Sequence, residues 1–490
     1  MNGSIIRYIL GNVLKLESMF LLFPSVTALI YQEKEGAWYV MISLLCLLLG
    51  IIFTRRKPEN YVFYLKEGCM ITSLSWIVLS LFGCLPLWAT GEIPCFIDAL
   101  FETVSGFTTT GASILKNVEA LSHCSLMWRS FTHWIGGMGV LVFLLAIVPM
   151  SGGSHINLMR AESPGPSVGK LVPKVRSTAR ILYFIYFGMT IIQIVVLILA
   201  KMPVFEAINT GLSTAGTGGF GFRNDSMASY SSGIQWIVTI FMILFGINFN
   251  AYYYLIFKHF RKAFGMEEVK GYLGVIFVAI VIISADLVQN SKNLFRSVTD
   301  ASFQVASVIT TTGFSTTDFN LWSQTSKLVI VVLMFIGACA GSTGGGIKVS
   351  RFIILIKTVI KELNSYIHPK SIKKIKIEGK PVPHEVVRSV NVYFITFVLL
   401  FSGSVLVISF DGYDLVTNFT AVAATINNIG PGLELVGPTQ NFSLFSHFSK
   451  IVLMFDMLAG RLELFPLLIL FHPEIWKDMF TKRVDKKKES

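Results

Sequence analysis

Charged side chains are scarce in this sequence. Asp, Glu, Lys and Arg make up 14% of its 490 residues, against about 25% in an average soluble domain, whereas 53% of the residues are hydrophobic. Such a chain lacks the polar side chains that a water-facing surface needs, which excludes a soluble globular protein.

Acidic residues are the scarcer of the two charge types. The chain has 29 acidic and 41 basic residues, for a net charge of +12. The basic residues cluster in short stretches between apolar runs, which is typical of a polytopic membrane protein and not of a nucleic-acid-binding protein. We therefore expect membrane lipids, and no nucleic acid, among its partners.

Motifs for catalysis or metal coordination are also missing. The six cysteines show no CxxC spacing, and no Ser/His/Asp or HExxH pattern supports an enzyme. His133, His155 and His472 are isolated, so we interpret them as packed or interfacial residues. A disulfide between Cys95 and Cys124 outside the membrane stays open. No cleavable signal peptide is evident, and we expect Met1 to begin the mature chain.

Apolar runs long enough to span a bilayer recur along the whole chain and predict an all-α membrane protein. The first run contains Lys15 and Glu17, so an interfacial helix is an alternative there. The candidate spans are residues 5–30, 37–54, 68–90, 125–150, 181–201, 232–257, 271–290, 327–360, 387–410 and 447–472.

The loop charges predict the orientation of the chain. Lys and Arg in short loops resist translocation, so the face that carries them is the cytoplasmic one, and both termini lie there. The opposite loops are mildly acidic, which we expect to concentrate cations at an entrance. The basic stretches are Arg55 to Lys57, Lys170 to Arg180, Lys258 to Lys262, Lys370 to Lys380 and Lys482 to Lys488, and the outer acidic residues are Glu92, Asp98, Glu102, Glu206, Asp300, Asp318, Asp411 and Asp414.

Four outer connections share one pattern, a short amphipathic helix followed by a polar stretch with glycine. The centres of these stretches lie about 100 to 120 residues apart, and a fixed period predicts a repeat architecture. Phe101-Glu102, Phe205-Glu206, Phe303-Gln304 and Asn418-Phe419 precede the central glycines by ten to fourteen residues. The polar stretches are Thr109 to Ser113, Thr217 to Gly221, Thr311 to Ser315 and Asn428 to Gly432.

Non-helical backbone at membrane depth is tolerated only where protein buries it or where it lines a water-filled cavity. Four such loops predict a pore on a fourfold pseudo-axis, and four copies in register argue against ordinary extracellular turns. A central glycine takes positive φ at little cost, so successive carbonyls can replace the hydration shell of a monovalent cation. The C-terminal end of each short helix favours a cation in the pore centre. Gly218 is a near alternative to Gly219. The candidate ion-binding residues are Thr109, Thr110, Gly111, Thr217, Gly218, Gly219, Thr311, Thr312, Gly313, Asn428, Ile429 and Gly430.

These stretches look like four degenerate copies of the TVGYG filter of potassium channels, and the repeats resemble the Trk/Ktr/HKT superfamily of potassium transporters. The N-terminal hairpin, His368-Pro369, Asn427 to Gly432 and Asp456 to Glu463 are most similar to the bacterial TrkH/TrkG branch. The resemblance implies potassium uptake across the inner membrane, a homodimer with one pore per protomer, and a cytosolic nucleotide-binding subunit of the TrkA type. The transported ion is then K+, and this chain needs no organic cofactor.

The resemblance divides the chain into a helical hairpin, four pore repeats and a basic tail. One departure from the filter pattern concerns the last positions, which are Ser113 and Ser315 in two repeats and Gly221 and Gly432 in the others; Ala112 and Pro431 replace the usual aromatic residue. Selectivity over Na+ and Rb+ is therefore expected to be looser than in a potassium channel. The predicted units are residues 1–60 (hairpin), 61–155, 156–262, 263–362 and 363–476 (repeats), and 477–490 (tail).

A glycine-rich segment interrupts the long helix after the third polar stretch. Gly337, Gly341, Gly344, Gly345 and Gly346 each cost roughly 1 kcal/mol in a helix, so the segment should unwind. A phosphate-binding loop is disfavoured because Ile347 separates the last glycine from Lys348. We interpret the segment as an intramembrane gating loop, with a kinked, tightly packed helix as the alternative.

Arg461 lies about 21 Å into the last span at 1.5 Å per residue, and a charge at that depth suggests function. Facing the pore below the filter, it would raise the barrier to cations, which is the role that the resemblance also implies. The alternative is a structural ion pair with Glu463 or Asp456. Asn248 and Asn250 either line the cavity or pack between helices.

Two transport mechanisms and one unrelated class compete. The first is a gated potassium pore, and the second is a K+/H+ or K+/Na+ symporter on the same scaffold, for which Asp286 and Asp456 are the candidate carboxylates. A multipass membrane enzyme is disfavoured by the missing catalytic constellation.

Overall fold

The structure is a computed structural model that describes residues 2–58, 64–139, 175–289, 293–370 and 374–475, with the backbone alone at 175–179. The predicted basic tail, His155, and Lys170 and Lys174 lie outside the described residues. The face that the sequence predicts to be extracellular is called the outer face below.

The chain begins with a helical hairpin. Helix α1 (Gly3–Phe20) continues after a one-residue break at Leu21 into α2 (Leu22–Tyr31), and α3 (Gly36–Thr54) returns beside them. The backbones approach closely because Gly11 and Gly50 face each other, and a Cβ atom on Gly50 would lie 2.8 Å from the Gly11 carbonyl oxygen. By length and composition the first two helices together form a candidate span despite the buried Glu17.

Four copies of one arrangement follow, each with an outer helix, a short re-entrant helix and an inner helix. Each inner helix has a serine N-cap that accepts a hydrogen bond from the backbone N–H three residues later; the caps are Ser122, Ser231, Ser323 and Ser446. The outer helices are α4 (Leu65–Gly83, followed by α5, Leu85–Ala89), α8 (Val175–Leu199), α13 (Glu267–Gln289) and α17 (His384–Ile408). The re-entrant helices are α6 (Phe96–Phe107), α9 (Val204–Ala215), α14 (Leu294–Ile309) and α18 (Leu415–Ile426). The inner helices are α7 (His123–Met138), α10 and α11 (Ser232–Phe245, Phe249–Ile256), α15 and α16 (Gln324–Ile336, Val349–Ile367), and α19 and α20 (His447–Arg461, Phe465–Leu468).

Short elements connect these helices. Helix α12 (Phe260–Ala263) precedes the third repeat, and an antiparallel pair of two-residue strands, β1 (Lys376–Ile377) and β2 (Lys380–Pro381), precedes the fourth. Single 3-10 turns lie at Val118–Ala120, Phe319–Leu321, Ser409–Asp411, Glu434–Val436, Phe442–Leu444 and Ile469–Phe471.

The inner helices differ from the continuous spans that apolar runs predict. Among the described residues six helices are long and apolar enough to cross a membrane, or seven if the pair α10 and α11, bent by 90°, is one span, against ten predicted. The run at 327–360 is split by the glycine-rich segment, and the run at 447–472 breaks where Glu463 and Leu464 take positive φ. The run at 125–150 continues beyond the described residues. Composition therefore predicts where apolar chain lies but not where a helix is interrupted.

The re-entrant helices form the centre of the molecule. Every residue from Thr299 to Thr312 is buried, although this segment is rich in Thr, Ser, Asp and Gln. A polar helix enclosed on all sides indicates that the repeats surround a polar axis, which confirms the predicted fold class of four helix–loop–helix repeats after an N-terminal hairpin. The six cysteines are free, so the pairing of Cys95 with Cys124 that the sequence left open is not formed.

Candidate ion pathway

The four re-entrant helices end in the same C-terminal motif. In each, the residue after the helix cap takes left-handed backbone angles, and the next N–H bonds back to the carbonyl five residues earlier, as in a Schellman motif. The left-handed residues are Thr109, Thr217, Thr311 and Asn428, with φ between 51° and 57°. These N–H···O bonds join Thr110 to Ser105, Gly218 to Ser213, Thr312 to Ser307 and Ile429 to Ala424 at 2.8–2.9 Å.

Threonine in this conformation is strained, because a β-branched side chain disfavours positive φ at a cost of about 1–3 kcal/mol. Strain of this size persists only where the surrounding fold imposes it. The sequence predicts positive φ at the central glycines alone and not at the threonines two residues earlier. The repeated Thr-x-Gly spacing was the signal that pointed to them.

The central glycines occupy the second left-handed position of each loop. Their φ values are 78°, 79°, 87° and 101° for Gly111, Gly219, Gly313 and Gly430. Gly218 is not among the positive-φ residues, so Gly219 holds the central position of the second loop. This register also places Phe205-Glu206 one helical turn further from its glycine than Phe101-Glu102 or Phe303-Gln304, so these approach segments are not equivalent.

The loops contact one another in a closed cycle. A Cβ atom on any central glycine would lie far inside van der Waals distance of a carbonyl oxygen in the next repeat, so a side chain there would displace that oxygen. The four loops therefore surround one axis. These Cβ-to-oxygen distances would be 2.0 Å from Gly111 to Gly218, 1.8 Å from Gly219 to Thr312, 2.2 Å from Gly313 to Ile429 and 2.9 Å from Gly430 to Thr110.

Several loop side chains are held behind the ring. The hydroxyl of Thr110 lies 2.8 Å from that of Thr108, and Asn428 donates its amide to Thr110 at 3.0 Å, which joins the first and fourth loops. The Thr109 hydroxyl is buried without a protein partner. Within the described ranges no cluster of three or more His, Cys, Asp or Glu residues could hold a metal ion.

His133 lies directly behind the second loop. Its Nδ1 donates to the Gly106 carbonyl at 2.8 Å, and its Nε2 accepts from the Phe220 N–H at 3.3 Å, a pair of bonds that only the neutral ring can make. A Cβ atom on Gly218 would lie 2.2 Å from this ring, which explains glycine where other repeats have Thr110 or Thr312. His133 is fully buried, in agreement with its prediction as a packed residue, but no sequence signal indicates its position at the ring.

A cavity of about 200 Å³ opens above the ring on the outer face, and the four central glycines contribute to its floor. Its described lining has three basic residues, Lys116, Arg129 and Arg223, and no acidic one, which differs from the acidic entrance that the sequence predicts. The reason is that the outer carboxylates are used in structural contacts. For example, Glu206 pairs with Arg223, Asp98 pairs with Lys450, and Asp414 caps α18.

The glycine-rich segment lies beneath the ring. No helix is present between Ile336 and Val349, as the glycine content predicts. Gly345 donates its N–H to the Thr311 hydroxyl at 2.6 Å, and a Cβ atom on Gly344 would lie 2.9 Å from the Thr310 carbonyl. The segment therefore contacts the inner ends of the re-entrant helices, with Gly337, Gly341 and Gly346 at positive φ.

Neighbouring helices hold this segment through its backbone. Cys339 donates its N–H to Gly246 at 3.1 Å, and the Ala340 N–H donates to the Glu268 carboxylate at 2.6 Å. The Gly341 carbonyl accepts from Phe249, the first residue of α11, at 2.9 Å. Asn248 packs here, donating to Glu268 and capping Asn250, so its packing interpretation fits the contacts.

Arg461 connects the segment to the first repeat. Its guanidinium donates to the carbonyls of Thr343 at 2.9 Å, Gly137 at 2.7 Å and Gly136. The two carboxylates offered as alternative partners are held elsewhere, since Glu463 pairs with Arg351 and Asp456 accepts from Ser404 at 2.7 Å. The structure thus brings the glycine-rich segment and Arg461 together under the ring.

Comparisons with known proteins agree with this architecture. The chain matches the family model described as TrkH, cation transport protein, over residues 39–278 and 273–483. It is 35% identical over 487 residues to the Trk system potassium uptake protein TrkH of Salmonella typhimurium, covering 98% of this chain and 100% of that one. It is 33% identical to the Trk system potassium uptake protein TrkG of Escherichia coli, over 97% of this chain and 100% of that one. The crystal structure of the potassium transporter TrkH from Vibrio parahaemolyticus superimposes with a TM-score of 0.88 at 32% identity, covering 97% and 100% of the two chains. The chain is therefore a multi-pass membrane protein and a transporter, not an enzyme, and it belongs to the TrkH family of cation transport proteins.

Proposed function

We propose that this chain takes up potassium ions across the inner (cytoplasmic) membrane through a K+-selective pore that is closed beneath its filter. The closed cycle of four loops around one axis carries this proposal. Its relatives are named potassium uptake proteins, which supports K+ as the transported ion.

The filter in this proposal consists of the four stretches Thr109–Gly111, Thr217–Gly219, Thr311–Gly313 and Asn428–Gly430. Two left-handed residues in each stretch alternate with a residue that is not left-handed, an arrangement that can turn successive carbonyls toward the axis. The re-entrant helices end next to these stretches, and their partially negative C-termini favour a cation on the axis. Ser113, Ser315, Gly221 and Gly432 follow the central glycines, so looser selectivity than in a potassium channel remains our prediction.

The gate in this proposal is the glycine-rich segment together with Arg461. Gly344 and Gly345 contact the inner side of the filter, and Gly337, Gly341 and Gly346 take positive φ in the same segment. Arg461 fastens this segment to α7 through carbonyl contacts. A fixed cation on the path raises the barrier to K+ by repulsion in a low-dielectric environment. The segment continues directly into α16, so displacement of α16 would pull on the gate.

We also propose that a cytosolic nucleotide-binding subunit of the TrkA type controls the gate, and that the chain works as a homodimer with both termini in the cytosol. The exposed lysines Lys370, Lys374, Lys376 and Lys380 supply a basic surface near the end of α16. Lys357 on α16 pairs with Glu267 and donates to the Lys376 carbonyl at 2.7 Å, which links α16 to this surface.

A K+/H+ or K+/Na+ symporter is the second candidate, and one observation favours it. Asp456 is fully buried on α19, and one of its carboxylate oxygens has no hydrogen-bond partner, as expected of a group that can carry a proton. Asp286 instead accepts from Ser323 at 2.5 Å and from Ser326, which is a local structural role.

Ion flux in liposomes tests these alternatives. The chain is reconstituted with the Arg461→Ala change to open the gate, and K+ influx is measured with and without an imposed proton gradient. A pore gives K+ flux that follows the K+ gradient alone and exceeds Na+ flux. Influx that requires the proton gradient and is lost in Asp456→Asn would establish symport instead, and equal K+ and Na+ fluxes would refute the selective pore.

A further inference from the structure

A buried ion pair lies behind the first loop of the ring. Glu102 on α6 and Arg129 on α7 are 1% and 3% exposed, and the Arg129 Nε donates to Glu102 Oε1 at 2.8 Å. The second guanidinium contact with this carboxylate is also 2.8 Å. A buried ion pair is stable only when the other hydrogen-bond donors and acceptors of both side chains also have partners.

Glu102 uses that capacity on the chain that leaves the first loop. It lies nine residues before Gly111, whereas its other two partners, Ser113 and Ile114, follow that glycine. The Ser113 hydroxyl donates to both carboxylate oxygens at 3.0 and 3.1 Å, and the Ile114 N–H donates at 3.0 Å. One carboxylate therefore ties the segment after the loop to the helix before it, by charge-assisted bonds that are stronger than neutral ones.

Arg129 extends the same network to the second loop. Its guanidinium carbon lies 4.0 Å from the centre of the Phe220 ring, and its Nη1 donates to the Gly221 carbonyl at 3.5 Å. Phe220 directly follows Gly219, and its N–H donates a hydrogen bond to His133 Nε2. The ion pair thus contacts residues that follow both the first and the second loop.

The other repeats lack this carboxylate. The residues nine positions before their central glycines are Thr210, Gln304 and Ala421. Gln304 is fully buried, yet neither its amide nitrogen nor its amide oxygen has a hydrogen-bond partner. The charge-assisted hydrogen bonds of Glu102 and Arg129 therefore reach the first and second loops. The residues at the position equivalent to Glu102 in the other three repeats carry no charge and cannot form such bonds.

We propose that Glu102 and Arg129 are positioning residues that determine the ion selectivity of the ring, by holding the first and second loops at a fixed separation. This inference depends on the proposed function, because selectivity has meaning only if the ring conducts ions. Gly111 packs against the Gly218 carbonyl, so a change in the spacing of these loops moves a ring oxygen directly. Ring oxygens that can shift accommodate a smaller cation, and the preference for K+ over Na+ then falls.

The test compares K+ and Na+ fluxes of full-length variants in liposomes, all carrying Arg461→Ala. The main variant is Glu102→Gln with Arg129→Gln, since removing both charges avoids the large cost of a buried unpaired ion. The matched control is Glu206→Gln in α9, which neutralises the carboxylate of another Glu–Arg pair. Glu206 accepts hydrogen bonds from the side chains of Arg223 and Tyr230. Ser113→Ala removes the hydroxyl that both Glu102 oxygens share, keeps the ion pair, and serves if the double variant does not fold.

We expect the double variant to conduct K+ while its K+/Na+ flux ratio falls about tenfold, equivalent to about 1.4 kcal/mol. Ser113→Ala should lower the ratio to a smaller extent, and Glu206→Gln should leave it unchanged. An unaltered ratio in the folded double variant, or an equal fall in Glu206→Gln, would overturn the inference while leaving the pore intact. A parent protein without any preference for K+ would overturn the proposed function itself.

Discussion

Gly313→Ser tests whether the carbonyls of the ring select the ion. Gly313 has φ of 87°, and a Cβ atom there would lie 2.2 Å from the Ile429 carbonyl oxygen and 3.1 Å from Pro431 Cδ. The serine side chain therefore cannot be accommodated without movement of the fourth loop.

The size of the effect follows from two separate terms. Positive φ costs any residue with a side chain about 1–3 kcal/mol, a penalty that acts on stability. The clash acts on function, because the Ile429 oxygen must move by about 1 Å to reach the 3.4 Å at which ordinary contact begins. One displaced oxygen in a ring of four should weaken discrimination against Na+ by about tenfold or more, or about 1.4 kcal/mol.

Gly412→Ser is the matched control for the first term. Gly412 has φ of 80° with no atom within 4 Å of its Cβ position, so it carries the strain without the clash. K+ and Na+ fluxes are measured in liposomes for both variants at equal amounts of folded protein. The reasoning is refuted if Gly313→Ser keeps the parent K+/Na+ ratio and flux, or if Gly412→Ser alters the ratio to the same extent.

The remaining predictions concern the gate and its control. Arg461→Ala, or deletion of Gly344 to Gly346, should raise K+ flux in the absence of a regulator. Flux at the parental closed level in both, with normal expression, would place the barrier elsewhere. The control is Arg296→Ala, which removes an exposed arginine that pairs with the buried Asp300. Thr311→Val should also raise the leak, because it removes the acceptor of the Gly345 N–H at a cost of about 1–3 kcal/mol, whereas Thr311→Ser should not. Neutralising the lysines from Lys370 to Lys380 should lower co-purification with a TrkA-type subunit while membrane insertion persists, and unchanged binding at physiological salt would contradict this.

Local patterns in the sequence determined much of the architecture. Backbone flexibility and hydropathy are properties of short segments, so they can be predicted from the sequence alone. The informative patterns are the apolar runs, the repeated polar stretches with glycine, and the glycine content of residues 337–346. They predicted four repeats, the central glycines and the interruption before α16. The same patterns overestimated the continuous spans, since tertiary contacts such as the Phe249 N–H with the Gly341 carbonyl help to set where an inner helix breaks.

Tertiary structure alone decided which distant groups meet. The cyclic order of the loops, the position of His133 behind Gly218, and the carbonyl partners of Arg461 each join residues from different repeats. The acidic entrance was wrongly predicted for the same reason, because loop charge counts do not reveal that Glu102 faces Arg129 inside the protein. Whether a carboxylate in an outer loop attracts cations at the entrance or forms a buried ion pair depends on its neighbours in three dimensions. The spacing of residues along the sequence does not specify those neighbours.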